Sequence, residues 1–592
     1  MTSPVRLVIV IAALVWSGVA AAQTIYPIDR AQILQGAKFD LKVEFPGAPP
    51  AGDLRVIING EDAGKVLGKE ATVVEREDGA ARTAYWIRNA ELSGSGPVVV
   101  EASAGGSTAR VTWDVFGTPD GRLARNVILL VGDGLSIAHR TAARMLSKGI
   151  SQGKYHGELA MDSMSNMALV STSGTDSIVT DSANSITAYA TGHKSCVNAL
   201  GVYCASNREN HQHPQFETIA ELAKRKLGLA VGIVTDTEIQ DATPSGFVAH
   251  TRARSDYEDI VEMYFGLQPD VVLGGGAQFF RPAGVDRGKR RDGQDYIQKF
   301  QHAGYAFVDT ATTLGDVAAR PETRRLLGLF NDRNIDGALD RRFLKKGTVA
   351  KFPDQPDLTD SVRAALQVLS RNDQGFLLLV EAGRIDKYSH SLDWERAVYD
   401  TIMFDNAVAV AKEYAARSND ALVIVVPDHA HPVSIIGTYD DRKGDELRER
   451  LQTYASAGFP DYPAPDEAGY PPRVDVERRL AMVFAAYPDH CDAGRPHLGG
   501  ENVPTIAAGA AGARAGDRRG EKAAAAETPT YCAPGEARKI GNLPITARSG
   551  VHAADDVLLT ADGPGADAFR GRVDNTYVFR AIARALALGL AK

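Results

Sequence analysis

"NVILLVGDG" (126–134) runs five aliphatic residues together, Val127 to Val131, and then turns through Gly-Asp-Gly at Asp133. A strand that is apolar at every position is buried on both faces, the habit of parallel strands covered by helices. The pattern returns in "GLAVGIVTDT" (228–237), "PDVVLGGGA" (269–277), "GFLLLVEAG" (375–383) and "ALVIVVPDHAH" (421–431). Helical patterns such as "QFETIAELAKRKL" and "TDSVRAALQVLSRN" sit just before strands. This alternation predicts an α/β fold: a doubly wound sheet with helices on both faces.

Upstream the period is two. "KFDLKVEF" alternates Phe39, Leu41, Val43 and Phe45 with polar residues, and "DLRVII", "TAYWIRN", "PVVVEASA" and "ARVTWDVF" continue the style between Gly-, Pro- and Asn-containing turns. Short strands at this spacing predict a small immunoglobulin-like β-sandwich over 23–117. That segment holds no His and no acidic cluster, so no chemistry is assigned to it, and "GTPDGR" (117–122) reads as the linker to a catalytic domain over 118–592. Between Thr438 and Arg548 the pattern dissolves into an insertion (438–548), whose tract "IAAGAAGARAGDRRGEKAAAAETPT" (506–530) cannot supply a core.

The chain of 592 residues exceeds one ordinary core, which fits two folded units. A net charge of -8 offers no support for a nucleic-acid surface. Arg6, the apolar run from Leu7 to Trp16 and the small residues Ala20, Ala21 and Ala22 have the architecture of a signal peptide over 1–22. The expected mature protein is periplasmic or secreted and has no membrane span. Four cysteines suit export; loop closure favours Cys196–Cys204 and Cys491–Cys532, and the absence of CxxC argues against a thiolate zinc site.

Chemistry-bearing residues collect where those strands end. "LLVGDG" delivers Asp133; "LLLVEAGRIDKYSH" delivers Glu381, Asp386 and His390; "VIVVPDHAH" delivers Asp428, His429 and His431; "IVTDTEIQDATPSG" adds Asp241 and Thr243. In an open α/β sheet, groups at the carboxyl ends of strands share one crevice. Mixed His and carboxylate ligands suit catalytic zinc, and an oxygen-only set suits magnesium. "VTDSANSITAYATG" then sets Asp181 and Ser182 at a helix start that Gly192 closes. Read alone, that is an N-cap. Beside a metal crevice, Ser182 reads as a nucleophile at the positive end of a helix.

Together these segments resemble the alkaline phosphatase family. "TDSANSITAYATG" is similar to its phosphoserine segment, "QDATPSGFVAHTRAR" to its magnesium-and-arginine segment, and "VEAGRIDKYSH" and "DHAH" to its zinc segments. "SGVHAADDV" resembles the late segment that brings a further zinc histidine, His552. The resemblance spans about 120 to 592 without the 438–548 insertion. It implies two zinc ions and one magnesium. One zinc would take Asp386, His390 and His552, and the other Asp133, Asp428 and His429 with Ser182. Magnesium would take Asp133, Thr243 and Glu381, with Asp241 reaching it through water. Arg254 would grip the phosphate. The implied reaction is hydrolysis of small-molecule phosphate monoesters through a phosphoserine at Ser182, and a homodimer is compatible with it.

Asp241 and Lys387 match the bacterial form of the family, and Pro427 stands where a small residue is usual before Asp-His, which predicts a tilted turn. His193 and His431 are expected to take no direct metal role and to serve either as support for the ligands or as structural histidines. A phosphodiester or phosphonate substrate is the rival within the fold, and Ser182 with Arg254 and Glu381 favours monoesters. A sulfatase is disfavoured because no Cys/Ser-x-Pro-x-Arg motif lies near the nucleophile. The rival from another class, a binding protein on a retired scaffold, predicts gaps in a ligand set that has none.

Overall fold

The computed structural model describes residues 23–500, 503, 532–533 and 536–589; the stretch expected to be a signal peptide (1–22) and the tract 506–530 fall outside them. The aliphatic runs form the strands of one ten-stranded sheet. In chain order they are β1 (Asn126–Gly132), β2 (Asn166–Ser171), β3 (Ala230–Glu238), β4 (Val271–Gly275), β5 (Ala306–Val308), β6 (Leu326–Leu329), β7 (Phe376–Ala382), β8 (Ala421–Pro427), β9 (Val557–Asp562) and β10 (Arg570–Asp574). Their spatial order is β5-β6-β4-β3-β7-β1-β8-β9-β2-β10. Every neighbouring pair is parallel except the two that involve β9.

Side chains alternate between two helical layers, as the pleat requires. Val127, Leu129 and Val131 of β1 enter one core with Ala183, Ile186 and Ala190. Ile128 and Leu130 enter the opposite core with Val398, Ile402 and Val408. All five strand residues are 0% exposed, and each such burial contributes about 1.5–3 kcal/mol before entropy is set against it. The sheet is therefore covered on both faces, with its central strands β7, β1 and β8 ending at one edge.

The N-terminal residues form two sheets. One joins Thr24–Tyr26, Phe39–Pro46, Arg82–Ala90 and Thr72–Val74, all antiparallel; the other joins Gln32–Leu34, Ser107–Phe116, Gly96–Ala104, Arg55–Ile58 and Glu61–Asp62. Leu41, Val43 and Phe45 meet Val100, Trp113 and Val115 in one core between them. That core also takes in Tyr203, Ala205 and Phe216 from the larger unit, so the two units share apolar packing.

Part of the insertion is more ordered than its sequence suggested. Val433–Asp440 and Arg478–Phe484 pair antiparallel, and Leu451–Gln452 joins them. The reason is local: Leu480, Met482 and Phe484 alternate along one strand and add to the core beneath the sheet. Both expected disulfides form, Cys196–Cys204 and Cys491–Cys532, with Cα separations of 6.1 and 5.4 Å.

Candidate active site

Three adjacent strands aim their C-terminal ends at one cluster. Asp133 follows β1, Asp428 and His429 follow β8, and Glu381 lies near the end of β7. The turn after Asp133 needs Gly134: its φ is +66°, and a Cβ there would lie 2.7 Å from the His431 ring and 3.2 Å from Asp386 Cα. Its N–H donates to Asp428 Oδ1 at 3.0 Å, which ties the two strand ends together. Pro427 does not tilt its turn out of the cluster. It pairs with Gly132 in the parallel ladder, and its carbonyl accepts the Tyr189 hydroxyl at 2.6 Å.

Ser182 opens helix α1 (Ser182–Thr191) behind its N-cap, Asp181, whose carboxylate accepts from Asn184 N–H. The Ser182 hydroxyl is buried and lies 3.4 Å from both Asp133 Oδ2 and His429 Nε2. His429 Nε2 also faces Asp133 Oδ1 at 3.2 Å and Asp428 Oδ2 at 3.3 Å. Asp133, Asp428 and His429 thus converge beside the hydroxyl.

Asp386 and His390 share a face of α2 (Arg384–His390), four residues apart. Asp386 Oδ1 meets three imidazoles: His431 Nε2 at 2.7 Å, His390 Nε2 at 3.3 Å and His552 Nε2 at 3.4 Å. Carbonyls fix two of the rings through Nδ1, Gly550 O for His390 at 2.7 Å and Thr180 O for His552 at 2.8 Å. That leaves Nε2 of each turned inward, 3.0 Å apart. His552 also stacks on His429, with ring centroids 3.5 Å apart, which joins the two groups into one centre.

The third group lies beyond. Glu381 Oε2 accepts Thr237 Oγ1 at 2.7 Å and also accepts Thr235 Oγ1. Thr243 is buried, and its hydroxyl has no hydrogen-bond partner among the described residues. Asp241 caps the turn before Thr243 and bridges two cations, Lys387 Nζ at 2.9 Å and Arg254 Nη2 at 2.8 Å. Arg254 Nη1 reaches Asp181 Oδ2 at 3.2 Å. The guanidinium therefore stands between the residue before Ser182 and the cap before Thr243.

The electrostatics call for bound cations. Burial, then the charges of Asp428, Asp386 and Glu381, push the Asp133 carboxyl far above the usual range. Burial and then Asp241 push Glu381 up to about 7. Burial drives His429 well below an ordinary imidazole, keeping its ring neutral as a metal ligand must be. Asp133 Oδ1 and Asp428 Oδ2 are buried and have no hydrogen-bond donor among the described residues. Such oxygens are costly unless a cation meets them, so the donor set fits metal.

Sequence reasoning read Asp181 only as a cap and did not anticipate Thr235, Thr237, Thr180 or Gly550, whose contacts cross from distant segments. His431 Nε2 meets Asp386 Oδ1 at 2.7 Å and lies within reach of His429 and His552, in a group of side chains able to share one ion. His193 lies elsewhere: it stacks on Phe216 at 4.0 Å, and burial takes it down to about 3.

The alkaline phosphatase family model matches residues 124–588. The alkaline phosphatase of Escherichia coli is 34% identical over 364 residues, 56% of this chain and 74% of that protein. Streptomycin-6-phosphate phosphatase of Streptomyces griseus is 35% identical over 53% of this chain and 75% of its own length. The alkaline phosphatase structure from Thermus thermophilus has a TM-score of 0.54 at 26% identity, covering 80% of this chain and 93% of that one. A variant enzyme from the Antarctic bacterium TAB5 was solved with magnesium bound; it is 21% identical, with a TM-score of 0.53 over 78% of this chain and 98% of its own. With the family model spanning most of its length and the strand-end cluster intact, the chain belongs to the alkaline phosphatase family of phosphoric monoester hydrolases.

Proposed function

We propose that the protein is a metal-dependent phosphomonoesterase acting through a covalent phosphoserine at Ser182. The observation that carries this is the Ser182 hydroxyl, buried at a helix N-terminus and 3.4 Å from both Asp133 and His429. Asp386, His390 and His552 would hold one zinc, Asp133, Asp428 and His429 the other, and Asp133, Thr243 and Glu381 the magnesium. When bound, these ions supply Lewis acidity that lowers the cost of a serine alkoxide and of the departing oxygen.

Ser182 Oγ attacks phosphorus as its proton leaves, and the bond from phosphorus to the alcohol oxygen breaks. The alcohol departs with a proton. Water then attacks the phosphoserine, releasing inorganic phosphate and restoring the hydroxyl. Arg254 forks onto two non-bridging oxygens, a planar grip that lysine lacks. Free N–H groups at the start of α1 favour the same anion. Asp241 and Asp181 hold the guanidinium in register, and Lys387 balances Asp241.

The leader and the two disulfides support export to the periplasm or beyond, with units at 23–117 and 118–592. No helix among the described residues is long and apolar enough to cross a membrane.

The test is p-nitrophenyl phosphate hydrolysis between pH 7 and 10, before and after chelation, with zinc and magnesium added back. Activity that is lost to chelator and restored only by both metals is expected. Turnover of bis-p-nitrophenyl phosphate with none of the monoester would overturn the substrate class.

A further inference from the structure

Arg254 is fixed at both ends, and one residue outside the metal centre touches both fixings. The Asn198 N–H donates to Asp181 Oδ2 at 3.1 Å, the same oxygen that holds Arg254 Nη1. The Asn198 carbonyl accepts the Arg254 N–H at 2.8 Å. Asn198 itself is exposed and sits at a φ of +67°, a conformation that Asn and Gly tolerate and β-branched residues do not.

Its loop is closed by Cys196–Cys204 and stitched to the arginine segment by reciprocal bonds between Leu200 and Thr251, at 2.8 and 2.9 Å. The far end of the loop is fastened to the N-terminal sandwich. The Tyr26 hydroxyl donates to Cys204 O at 3.2 Å, and Ser206 donates twice to Glu44, at 2.9 Å each. Phe216 completes the sandwich core against Phe39 and Trp113.

We propose that Asn198 is a positioning residue for the phosphate-gripping arginine and that the N-terminal sandwich braces its loop. The inference rests on the reading of Arg254 as the phosphate clamp. It gives the sandwich a part in catalysis without any reacting group of its own. A shift of about 1 Å in a positioning group is enough to cost up to about a hundredfold in rate, so a loose loop would be felt at the phosphate.

The test is the Ki of inorganic phosphate and the KM and kcat for p-nitrophenyl phosphate, measured on the metal-loaded enzyme. Asn198→Val is expected to raise the phosphate Ki by about tenfold, the scale of one charge-assisted contact, and Asn198→Gly to return it to within about twofold. In an Arg254→Ala background, Asn198→Val should add nothing, because the two act as a unit. Tyr26→Phe keeps the ring, deletes the bond to Cys204, and is expected to raise the Ki in the same direction. A native Ki in Tyr26→Phe overturns the sandwich's part. A native Ki in Asn198→Val, with only a lower melting temperature, overturns the positioning role, as does an undiminished effect in the Arg254→Ala background. A native Ki in Arg254→Ala itself would instead remove the clamp on which both rest.

Discussion

One oxygen, Asp386 Oδ1, faces His390, His431 and His552 together. Burial would raise its pKa, but the His390 charge and the bonds from His431 and His552 hold it well below the carboxylate range. Its removal leaves three imidazoles without a common anchor. Asp386→Ala is therefore expected to lose about one zinc equivalent per chain and at least about a hundredfold in kcat/KM, the upper end of what altering only the hydrogen-bond partners of metal ligands costs. Zinc content by atomic emission beside steady-state kinetics checks it; full metal content in an inactive variant would contradict it. In the sequence, Asp133, Glu381, Asp428 and His429 of this cluster were marked by strand-end position and residue type, whereas His552 came only with the family resemblance. Their support was not legible: Thr180 and Gly550 act through carbonyls, which no side-chain pattern reveals.

Helix α1 shows how local pattern and long-range packing divide the work. Its cap and its closing glycine were both readable at Asp181 and Gly192. The neighbour was not: a Cβ on Gly192, at φ +76°, would lie 2.6 Å from Phe579 Cδ1, nearly four hundred residues on. Gly192→Ala should thus combine backbone strain with overpacking and lower stability by about 1–3 kcal/mol, measurable by urea unfolding. Another element-scale consequence concerns the helix Ile219–Leu227, where Glu221 pairs with His250 at 3.2 Å. Burial opposes the imidazolium, yet the Glu221 charge and hydrogen bond raise His250 to about 9. A group raised above its unfolded value of 6.5 contributes full stability below that pH and loses it as pH rises through 9. The urea midpoint should fall between pH 6.5 and 9, and Glu221→Gln, which keeps the capping geometry, should flatten that fall. An identical slope in the variant would contradict the pairing.

Across the whole molecule, the doubly wound sheet was legible because a strand buried on both faces must be apolar throughout, as Val127 to Val131 are. The union of the two units was not, because Tyr203, Ala205 and Phe216 complete the sandwich core from a segment that reads as loop. The insertion misled for the opposite reason: Leu480, Met482 and Phe484 carry a strand signal among turn-rich neighbours. The crowding of Asp133, Asp428, Asp386 and Glu381 also has a global consequence, since cations that bind only the folded state stabilise it. Chelation should lower the melting temperature by several degrees, and zinc with magnesium should restore it. An unchanged melting curve would contradict a metal-filled centre.

The central claim is a phosphoryl group carried on Ser182. Acid quench during turnover of a phosphate monoester, followed by peptide mass spectrometry, tests it most directly. The account predicts one phosphoryl group on the peptide containing Ser182, and neither adduct nor appreciable turnover in Ser182→Ala. An unmodified Ser182 under conditions that trap phosphate on another residue, or rapid turnover by Ser182→Ala, would contradict it.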